Sequence, residues 1–596
     1  MHDPAARPRP ARTPVLRRCL LLAVLVSACS ASAQPAESRA TPADTDQAGD
    51  PFVKQRVAAS RASLQSIPCR PALRDRLEPL LVPRLPEFLN VAYRGELLFA
   101  VRTDPPRTTP RVVVIKTHID PSREKLILDL GSLEGPRKLD WIAPAHNGRM
   151  VAIALSGPGG QTLRIHETDT GVARGVPIKG PLDRGLAWDI DATGFYYARQ
   201  TPGEPPTIFW HPLGGHPDDD EHQKEVTFPR GAAVAIDSAE NGDTLAWTLN
   251  EPMVAWFRRP GHPWTPCARE EDQISRIVFG VGEALYFITR RGAPRGRVGL
   301  MPIESPSLRN AELLMRPAET PLKDLLRTSE NVMVLQASGG GEGSGDEIRL
   351  IDLHAQELGL VAIPSGSFIS AMVRIGDEGV LVRHESLLTP RAWSLVRPNA
   401  PMPERSPLWG LRVESPPGAE VVRVRAGETP MTVIRKAGAE TGGGGACVLM
   451  LGDNATPTFD PARTALLERG VAVALAPSLA DAAAIGACVR ALIEGGIARE
   501  GRVAVVAGGA STRAAIEALR IEGAGAVAAA IVGALGDGPV PVPPTKPLLL
   551  VDAADAASIA IARASDRVLL TKPTDIVSDA ADRLAFLLNV MAPPER

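Results

Sequence analysis

The stretch Val503-Ala-Val-Val-Ala-Gly-Gly-Ala-Ser-Thr-Arg513 decides the fold of the last third of the chain. Its first five residues are apolar, which predicts a buried strand. Gly508 and Gly509 permit a tight turn, and residues 511–520 have a helical pattern. A buried strand that turns directly into a helix is the repeating unit of a parallel α/β sheet.

The same alternation extends to both sides of this stretch. Apolar strands are predicted at 447–451, 471–475, 526–532 and 547–551, and helices at 461–469, 482–494 and 580–591. A hairpin at 419–425 and 431–435 precedes them. Strands that are apolar on both faces need helices on both sides. Residues 409–596 are therefore predicted to form a three-layer, mostly parallel α/β domain.

Residues 88–408 have a different pattern. Short β runs recur every ~8–15 residues, separated by Gly, Pro, Asp or Asn, as in an all-β domain; examples lie at 96–102, 111–116, 150–155, 194–198, 284–289, 331–336 and 379–383. A segment of this length exceeds a single sandwich. At the ~40–50 residues that one propeller blade uses, it predicts a β-propeller of about seven blades.

The N-terminus is predicted to be an export signal. Five arginines between residues 7 and 18 precede a short apolar segment at 20–26, which is too short to span a membrane. Val26-Ser27-Ala28-Cys29 resembles a lipobox, so residues 1–28 would be removed and Cys29 lipidated. The alternative is ordinary secretion, with cleavage after Ala31-Ser32-Ala33 and before Gln34. The expected location is the bacterial cell envelope, or else the exterior.

Between the signal and the propeller, composition predicts two more segments. Residues 29–50 contain almost no large apolar side chain and are expected to be a tether. Residues 51–87 are expected to be a helical lead-in, interrupted by prolines. Of the four cysteines that follow Cys29, the sequence selects no pairing, and Cys447 and Cys488 are expected to be buried apolar residues.

Charge and motifs exclude several classes of function. The formal net charge of −2 gives no basic excess for nucleic acid, and a membrane would be contacted only through the lipid anchor. The glycine-rich segments 339–345 and 442–445 lack the Lys and Ser/Thr of a phosphate loop. The acidic run Asp218-Asp-Asp-Glu-His222 is expected to be a solvated loop rather than a cation site. No cofactor or metal is indicated.

Several local sequence segments resemble those of the prolyl oligopeptidase family. Trp188-Asp-Ile-Asp-Ala-Thr-Gly-Phe-Tyr-Tyr-Ala-Arg199 looks like a blade segment of that family, and residues 143–152 look like its turn and strand. Residues 421–436 and 459–476 are similar to the first hairpin, helix and strand of its catalytic domain. The resemblance implies a propeller followed by an α/β-hydrolase domain of serine peptidase ancestry.

The resemblance also implies where a nucleophile belongs. The family's G-x-S-x-G elbow can be aligned in two ways: one places Ala510 at the nucleophile, and the other keeps Ser511 but places Arg513 where a glycine belongs. Ser511 is otherwise interpreted as a helix N-cap, which is the favoured interpretation. Asp555 is the best match to the acid of the triad, with Asp552 beside it, and either would otherwise cap a helix.

The base of the triad is missing. In this fold the His follows the nucleophile and the acid in chain order, yet the last His of the chain is His384, within the propeller segment. The remaining candidates for the base are a histidine of the propeller and Lys572. Gly452-Asp-Asn-Ala-Thr456 stands where the family has a Tyr-bearing oxyanion loop, and no Tyr follows Tyr286.

The sequence therefore favours a family member that has lost peptidase activity and binds peptides or proteins in the envelope. The alternative is a weakly active serine oligopeptidase or esterase that uses Ser511.

Overall fold

The computed structural model describes residues 50–591, apart from segments at 83–84, 108, 117–122, 136, 281–283, 339–344, 365, 378, 398–403, 407, 409–417, 439–444, 456–457, 521–526, 534, 536–545, 552–555 and 572–574. Cys29, Asp552, Asp555 and Lys572 lie outside the described residues.

The N-terminal part of the chain forms seven four-stranded antiparallel blades, five as separate sheets and two joined in one eight-stranded sheet, so the prediction of about seven blades is confirmed. Blades 1 to 3 contain β1–β4 (Glu87–Arg94, Leu97–Thr103, Arg111–Ile115, Glu124–Asp129), β5–β8 (Lys138–Pro144, Met150–Gly157, Gly160–Glu167, Ala173–Lys179) and β9–β12 (Leu182–Trp188, Gly194–Arg199, Thr207–Pro212, Glu221–His222). Blades 4 to 7 contain β13–β16 (Val234–Ser238, Thr244–Thr248, Ala255–Arg258, Thr265–Ala268), β17–β20 (Ile274–Phe279, Ala284–Thr289, Arg297–Pro302, Glu312–Leu313), β21–β24 (Leu322–Arg327, Asn331–Ala337, Asp346–Asp352, Glu357–Val361) and β25–β28 (Phe368–Ile375, Gly379–Glu385, Ala392–Val396, Glu404–Arg405).

The apolar runs of neighbouring blades pack face to face. Phe195 and Tyr197 of blade 3 share a core with Trp141 of blade 2, because alternate side chains of a strand point to opposite faces and each face meets another blade. Blade 7 closes the ring on blade 1. The indole nitrogen of Trp393 donates a 3.0 Å hydrogen bond to the carbonyl oxygen of Phe88.

Blades 3 and 4 are joined more closely than the other neighbours. Their first strands pair in parallel at Ala235 and Arg184, which merges the two blades into one eight-stranded sheet. Gly185 has φ +80°, and a Cβ there would lie 2.6 Å from the carbonyl oxygen of Ile236. The close approach of these strands therefore requires glycine at this position.

The C-terminal half forms an eight-stranded sheet from β29 (Ala419–Ala426), β30 (Thr429–Lys436), β31 (Ala446–Leu451), β32 (Val471–Ala476), β33 (Val503–Ala507), β34 (Val527–Val532), β35 (Leu548–Val551) and β36 (Val568–Thr571). The order across the sheet is β29-β30-β32-β31-β33-β34-β35-β36, parallel from β32 onward. This is the 1-2-4-3-5-6-7-8 order of an α/β-hydrolase, as predicted.

Seven helices are described: α1 (Pro51–Gln65), α2 (Arg70–Leu81), α3 (Pro461–Leu467), α4 (Ala482–Glu494), α5 (Ser511–Ala518), α6 (Ala556–Ala564) and α7 (Ile576–Val590). Two apolar cores lie on the two faces of the sheet. Helices α1 and α2 pack on this sheet: the hydroxyl of Ser60 accepts a 3.0 Å hydrogen bond from the amide of Leu570 in β36.

The cysteines of the described chain are unpaired. Cys69, Cys267, Cys447 and Cys488 are all free thiols, and Cys447 and Cys488 are fully buried, as predicted. Burial raises the pKa of the Cys447 thiol to about 12. Within the described part of the chain, every helix is too short or too polar to cross a bilayer.

Candidate active site

The carboxyl ends of β31, β32 and β33 meet at one edge of the sheet, where an α/β-hydrolase carries its chemistry. A short 3₁₀ helix, Gly452–Ala455, follows β31. A Cβ built on Gly452 would lie 3.5 Å from the hydroxyl oxygen of Ser478 and 3.6 Å from the carbonyl oxygen of Gly508. The three loops that follow these strands are therefore in direct contact.

The strand-to-helix elbow is formed by the residues between β33 and α5. Gly509 has φ +54°, in the left-handed region that favours glycine. The amides of Ser511 and Thr512 donate 3.2 Å hydrogen bonds to the carbonyl oxygens of Gly508 and Gly509, which closes the turn. The residue that adopts the left-handed conformation at the elbow is therefore a glycine, which has no side chain. Neither alignment considered from the sequence placed Gly509 at this position, because the sequence does not reveal which residue takes a positive φ.

Ser511 lies two residues after the strained position, and its side chain is fully buried. Its hydroxyl oxygen accepts a 2.8 Å hydrogen bond from the amide of Leu479 and lies 3.1 Å from the hydroxyl oxygen of Ser478. Ala510 occupies the N-cap position of α5 without a side-chain capping bond. The N-cap interpretation of Ser511 is wrong: its hydroxyl binds the loop after β32 instead of its own helix.

The neighbours of Ser511 are also enclosed. Thr512 is buried, and its hydroxyl has no hydrogen-bond partner within the described residues. The guanidinium of Arg513 donates a 3.2 Å hydrogen bond to the carbonyl oxygen of Leu535. Arg513, which occupies the position of the final glycine in the family motif, is thus held by a bond to the segment that follows β34.

Two buried histidines of the propeller, His384 and His146, have hydrogen-bond partners within the propeller. His384 bonds to the hydroxyl of Ser394 at 2.8 Å, and burial lowers its pKa. His146 bonds to the hydroxyl of Ser238 at 2.9 Å, and burial together with the charge of Arg94 lowers its pKa to about 3. Both imidazoles are held neutral at physiological pH.

No imidazole within the described residues hydrogen-bonds to Ser511, whose side-chain partners there are Ser478 and Leu479. A serine hydroxyl becomes a strong nucleophile when a base takes its proton. In the described arrangement the hydroxyl oxygen of Ser511 accepts a hydrogen bond from the amide of Leu479, and this bond joins the loop after β32 to the first turn of α5.

The acidic run of blade 3 is exposed, as predicted, except at one residue. Asp218 and Glu221 are exposed, but the side chain of Asp220 is only 2% exposed. Its carboxylate accepts a 2.5 Å hydrogen bond from the hydroxyl of Tyr197 and lies 2.6 Å from Nδ1 of His211. Asp220 therefore links the third and fourth strands of the blade to Tyr197 in its second strand. The described residues contain no group of three or more His, Cys, Asp or Glu arranged to hold a metal.

Comparison with known families identifies the N-terminal part of the chain. Residues 44–399 match the family model of the prolyl oligopeptidase N-terminal β-propeller domain. No curated protein matches the chain at a significant level.

Solved structures of similar fold cover nearly the whole chain. A structure from a study of two prolyl endopeptidases has 17% identity and a TM-score of 0.67, and covers 91% of this chain and 94% of that chain. Prolyl oligopeptidase B from Galerina marginata, without ligand, has 14% identity and a TM-score of 0.73, and covers 93% of this chain and 94% of that chain. A substituted form of that protein bound to a 25mer macrocyclization substrate has 13% identity and a TM-score of 0.66, and covers 93% of this chain and 94% of that chain.

Proposed function

We propose, from the premise that this chain belongs to the prolyl oligopeptidase family, that it is an exported, lipid-anchored member that binds peptides or proteins without hydrolysing them. The proposal has three parts: loss of catalysis, retention of a peptide-binding fold, and attachment to the envelope through Cys29.

Loss of catalysis rests on the elbow. The strained position is Gly509, and the nearest hydroxyl, that of Ser511, is buried and accepts a hydrogen bond from the amide of Leu479. No His follows His384 in the sequence. Removing the nucleophile or base from such a triad costs on the order of 10⁶ in rate, which is ~8 kcal/mol of transition-state stabilisation.

Peptide binding is supported by the conserved architecture. The described strands of the propeller and of the α/β sheet follow the expected order. The departures from the family's motifs concern the positions of the nucleophile, the base and the oxyanion loop. The similar structure from Galerina marginata holds a 25mer substrate. A chain of the same two-domain fold is suited to hold an extended peptide of comparable length.

Attachment to the envelope is supported by the N-terminal sequence. Arginines between residues 7 and 18, the apolar segment 20–26 and the Val26-Ser27-Ala28-Cys29 motif occur in the order that a lipoprotein signal requires. Mass spectrometry of the N-terminal peptide from membranes tests this part, with a diacylated Cys29 expected. A mature N-terminus at Gln34 would replace anchoring with secretion.

Catalysis is tested with a fluorophosphonate probe and fluorogenic prolyl peptides on the purified chain. We expect no labelling and no hydrolysis above the rate of a Ser511→Ala variant. Labelling that disappears in Ser511→Ala, with matching loss of turnover, would establish instead the alternative of a weak serine oligopeptidase or esterase.

Binding is tested separately by calorimetry with an unlabelled proline-containing 25-residue peptide and with a control peptide of the same length and charge in which every proline is replaced by alanine. Saturable binding of the first peptide in the absence of hydrolysis supports the proposal. Absence of binding to both peptides would contradict the peptide-binding part.

A further inference from the structure

The two edges of the α/β sheet differ in how they are covered. At one edge, helix α1 bonds to β36: the hydroxyl of Ser60 accepts a 3.0 Å hydrogen bond from the amide of Leu570, and Arg56 donates to the carbonyl oxygen of Val568 at 2.8 Å. The other edge is β29, whose neighbour in the sheet is β30. Within the described residues, no side chain hydrogen-bonds to the backbone of β29.

Strand β29 is long and regular. It runs over eight residues, Ala419–Ala426, and each of them is paired with a residue of β30 without a bulge. Its sequence, AEVVRVRA, contains neither proline nor glycine. Edge strands are commonly protected from further pairing by shortness, bulges or proline, and β29 has none of these. The alternate backbone N–H and C=O groups that point away from β30 can therefore pair with a further strand.

The two faces of β29 have different surroundings. Val422 and Val424 pack against the apolar core that includes α4, whereas Val421, Arg423 and Arg425 are exposed. Residues two apart in a strand point to the same face, so the three exposed side chains form one row. We name Val421, Arg423 and Arg425 the edge row. Alternate side chains of a strand added beside β29 would lie next to it.

The edge row is basic. Arg423 donates a 2.6 Å hydrogen bond to the hydroxyl of Thr432, its neutral neighbour across the hairpin. Arg425 forms no ion pair within the described residues, and it lies opposite Pro430. Two positive charges therefore lie along the exposed face of β29, and their partners across the hairpin carry no negative charge.

The remaining charges of the hairpin strands do not neutralise this face. Glu420 is the acidic residue of β29; it points to the opposite face and pairs with Arg435 at 2.7 Å. Lys436 lies opposite Ala419, on the same face as the edge row, and is exposed. The exposed face of the hairpin therefore adds a third positive charge and has no acidic side chain on either strand.

We propose that β29 is a docking strand for an acidic partner segment, which adds to the sheet in an extended conformation with Asp or Glu at alternate positions. Its backbone bonds to the open groups of β29, and its carboxylates face Arg423 and Arg425. Strand addition takes affinity from main-chain hydrogen bonds and specificity from alternate side chains. The strand that leads into the elbow, β33, is the fifth strand counted from β29, so this surface is separate from the elbow.

A second copy of the chain is the competing occupant. Pairing of β29 with β29 of another molecule in one continuous sheet would bring four arginines onto one face, two from each strand. Like charges on neighbouring strands destabilise the pairing, whereas opposite charges stabilise it. The charge of the edge row therefore opposes self-pairing and favours an acidic segment.

The test measures fluorescence anisotropy of a dye-labelled peptide with the purified chain. The probe is a ten-residue peptide that alternates glutamate and valine and has blocked termini; the control peptide has lysine in place of glutamate. We expect saturable binding of the acidic peptide only. The binding should weaken at about 0.5 M salt, where the screening length falls to about 4 Å.

Two N-methylated forms of the acidic peptide test the mode of binding. One carries backbone methyl groups at its odd positions and the other at its even positions. Because only one of these sets of amides points toward β29 in an added strand, one form should lose binding and the other should keep it. Equal binding of the two forms would overturn strand addition, since attraction by charge alone does not distinguish them.

The double variant Arg423→Glu/Arg425→Glu tests the location. It should weaken binding of the acidic peptide by about tenfold or more, because each change replaces an attraction with a repulsion. The matched control, Arg309→Glu/Arg316→Glu, makes the same charge change at two exposed positions of the propeller and should bind as the parent does. Circular dichroism and the melting temperature verify that both variants are folded.

Three further results would each overturn the proposal: no binding of the acidic peptide, equal binding of the lysine peptide, or equal loss in both double variants. Sedimentation of the parent decides about the second copy, since a dimer that dissociates in Val421→Lys would assign the edge to self-pairing. The proposed function is tested with a different, proline-containing peptide. Failure to bind that peptide leaves the docking strand untouched, and failure of the acidic peptide leaves the proposed function untouched.

Discussion

The amide of Leu479 donates a 2.8 Å hydrogen bond to the hydroxyl oxygen of Ser511, and both groups lie at the carboxyl edge of the sheet. The bond joins the loop after β32 to the first turn of α5. A buried hydroxyl that satisfies a backbone amide has a structural role, and the same oxygen is the one that a serine hydrolase would use as its nucleophile.

Replacement of Ser511 by Ala should therefore reduce stability more than any activity. The change leaves the partly buried amide of Leu479 without its acceptor, which costs about 1–3 kcal/mol in the free energy of unfolding. Urea denaturation measures it. Ser478→Ala is the control: it removes only the 3.1 Å hydroxyl contact and should cost less. An unchanged urea midpoint for Ser511→Ala would contradict the structural role.

A side chain at Gly509 should strain the elbow. Because Gly509 has φ +54°, Gly509→Ala should cost about 1–2 kcal/mol. Gly533→Ala is the matched control in the same domain, since its φ is not positive and no atom lies within 4 Å of the Cβ position. Thermal unfolding of both variants decides the point, and equal melting temperatures would show that the elbow is not strained at Gly509.

Removal of the Asp220 carboxylate should destabilise blade 3. Asp220→Ala leaves the buried hydroxyl of Tyr197 and the imidazole of His211 without their acceptor, at a cost of about 3 kcal/mol. Asp218→Ala, two residues away and exposed, should change the free energy of unfolding by less than about 0.5 kcal/mol. Chemical denaturation of the two variants compares them directly, and similar effects would place Asp220 in solvent.

The buried carboxyl of Asp183 should make the free energy of unfolding fall as the pH rises from about 4 to about 6. Burial raises its pKa from the ordinary value 3.8 to about 6, and within the described residues its Oδ2 has no hydrogen-bond partner. The folded chain thus binds this proton more tightly than the unfolded chain. Its contribution is fully present below about pH 4 and is lost as the pH rises through about 6.

Asp183→Asn should raise the free energy of unfolding at pH 7 by on the order of 2 kcal/mol and leave it unchanged near pH 4. Denaturation curves for the parent and the variant across this range provide the measurement. The carboxylate accepts a hydrogen bond from the amide of Val234. If Asp183→Asn destabilises the protein at pH 7, a further contact must stabilise the charged carboxylate.

The sequence by itself determined the architecture, because local patterns carry it. Apolar runs of period two separated by turn residues indicated the blades, and strands alternating with helices indicated the parallel sheet. The absence of His after His384 is likewise a property of the sequence alone.

Only the tertiary structure decided what individual polar groups do. Ser511 bonds to Leu479, and Asp220 reaches Tyr197 and His211; these partners are distant in the chain. Neither pairing leaves a local signal, since a serine before a helix resembles an N-cap and an acidic run resembles a solvated loop. Which glycine takes a positive φ, and which blades share a sheet, likewise depends on packing between segments that only the complete fold brings together.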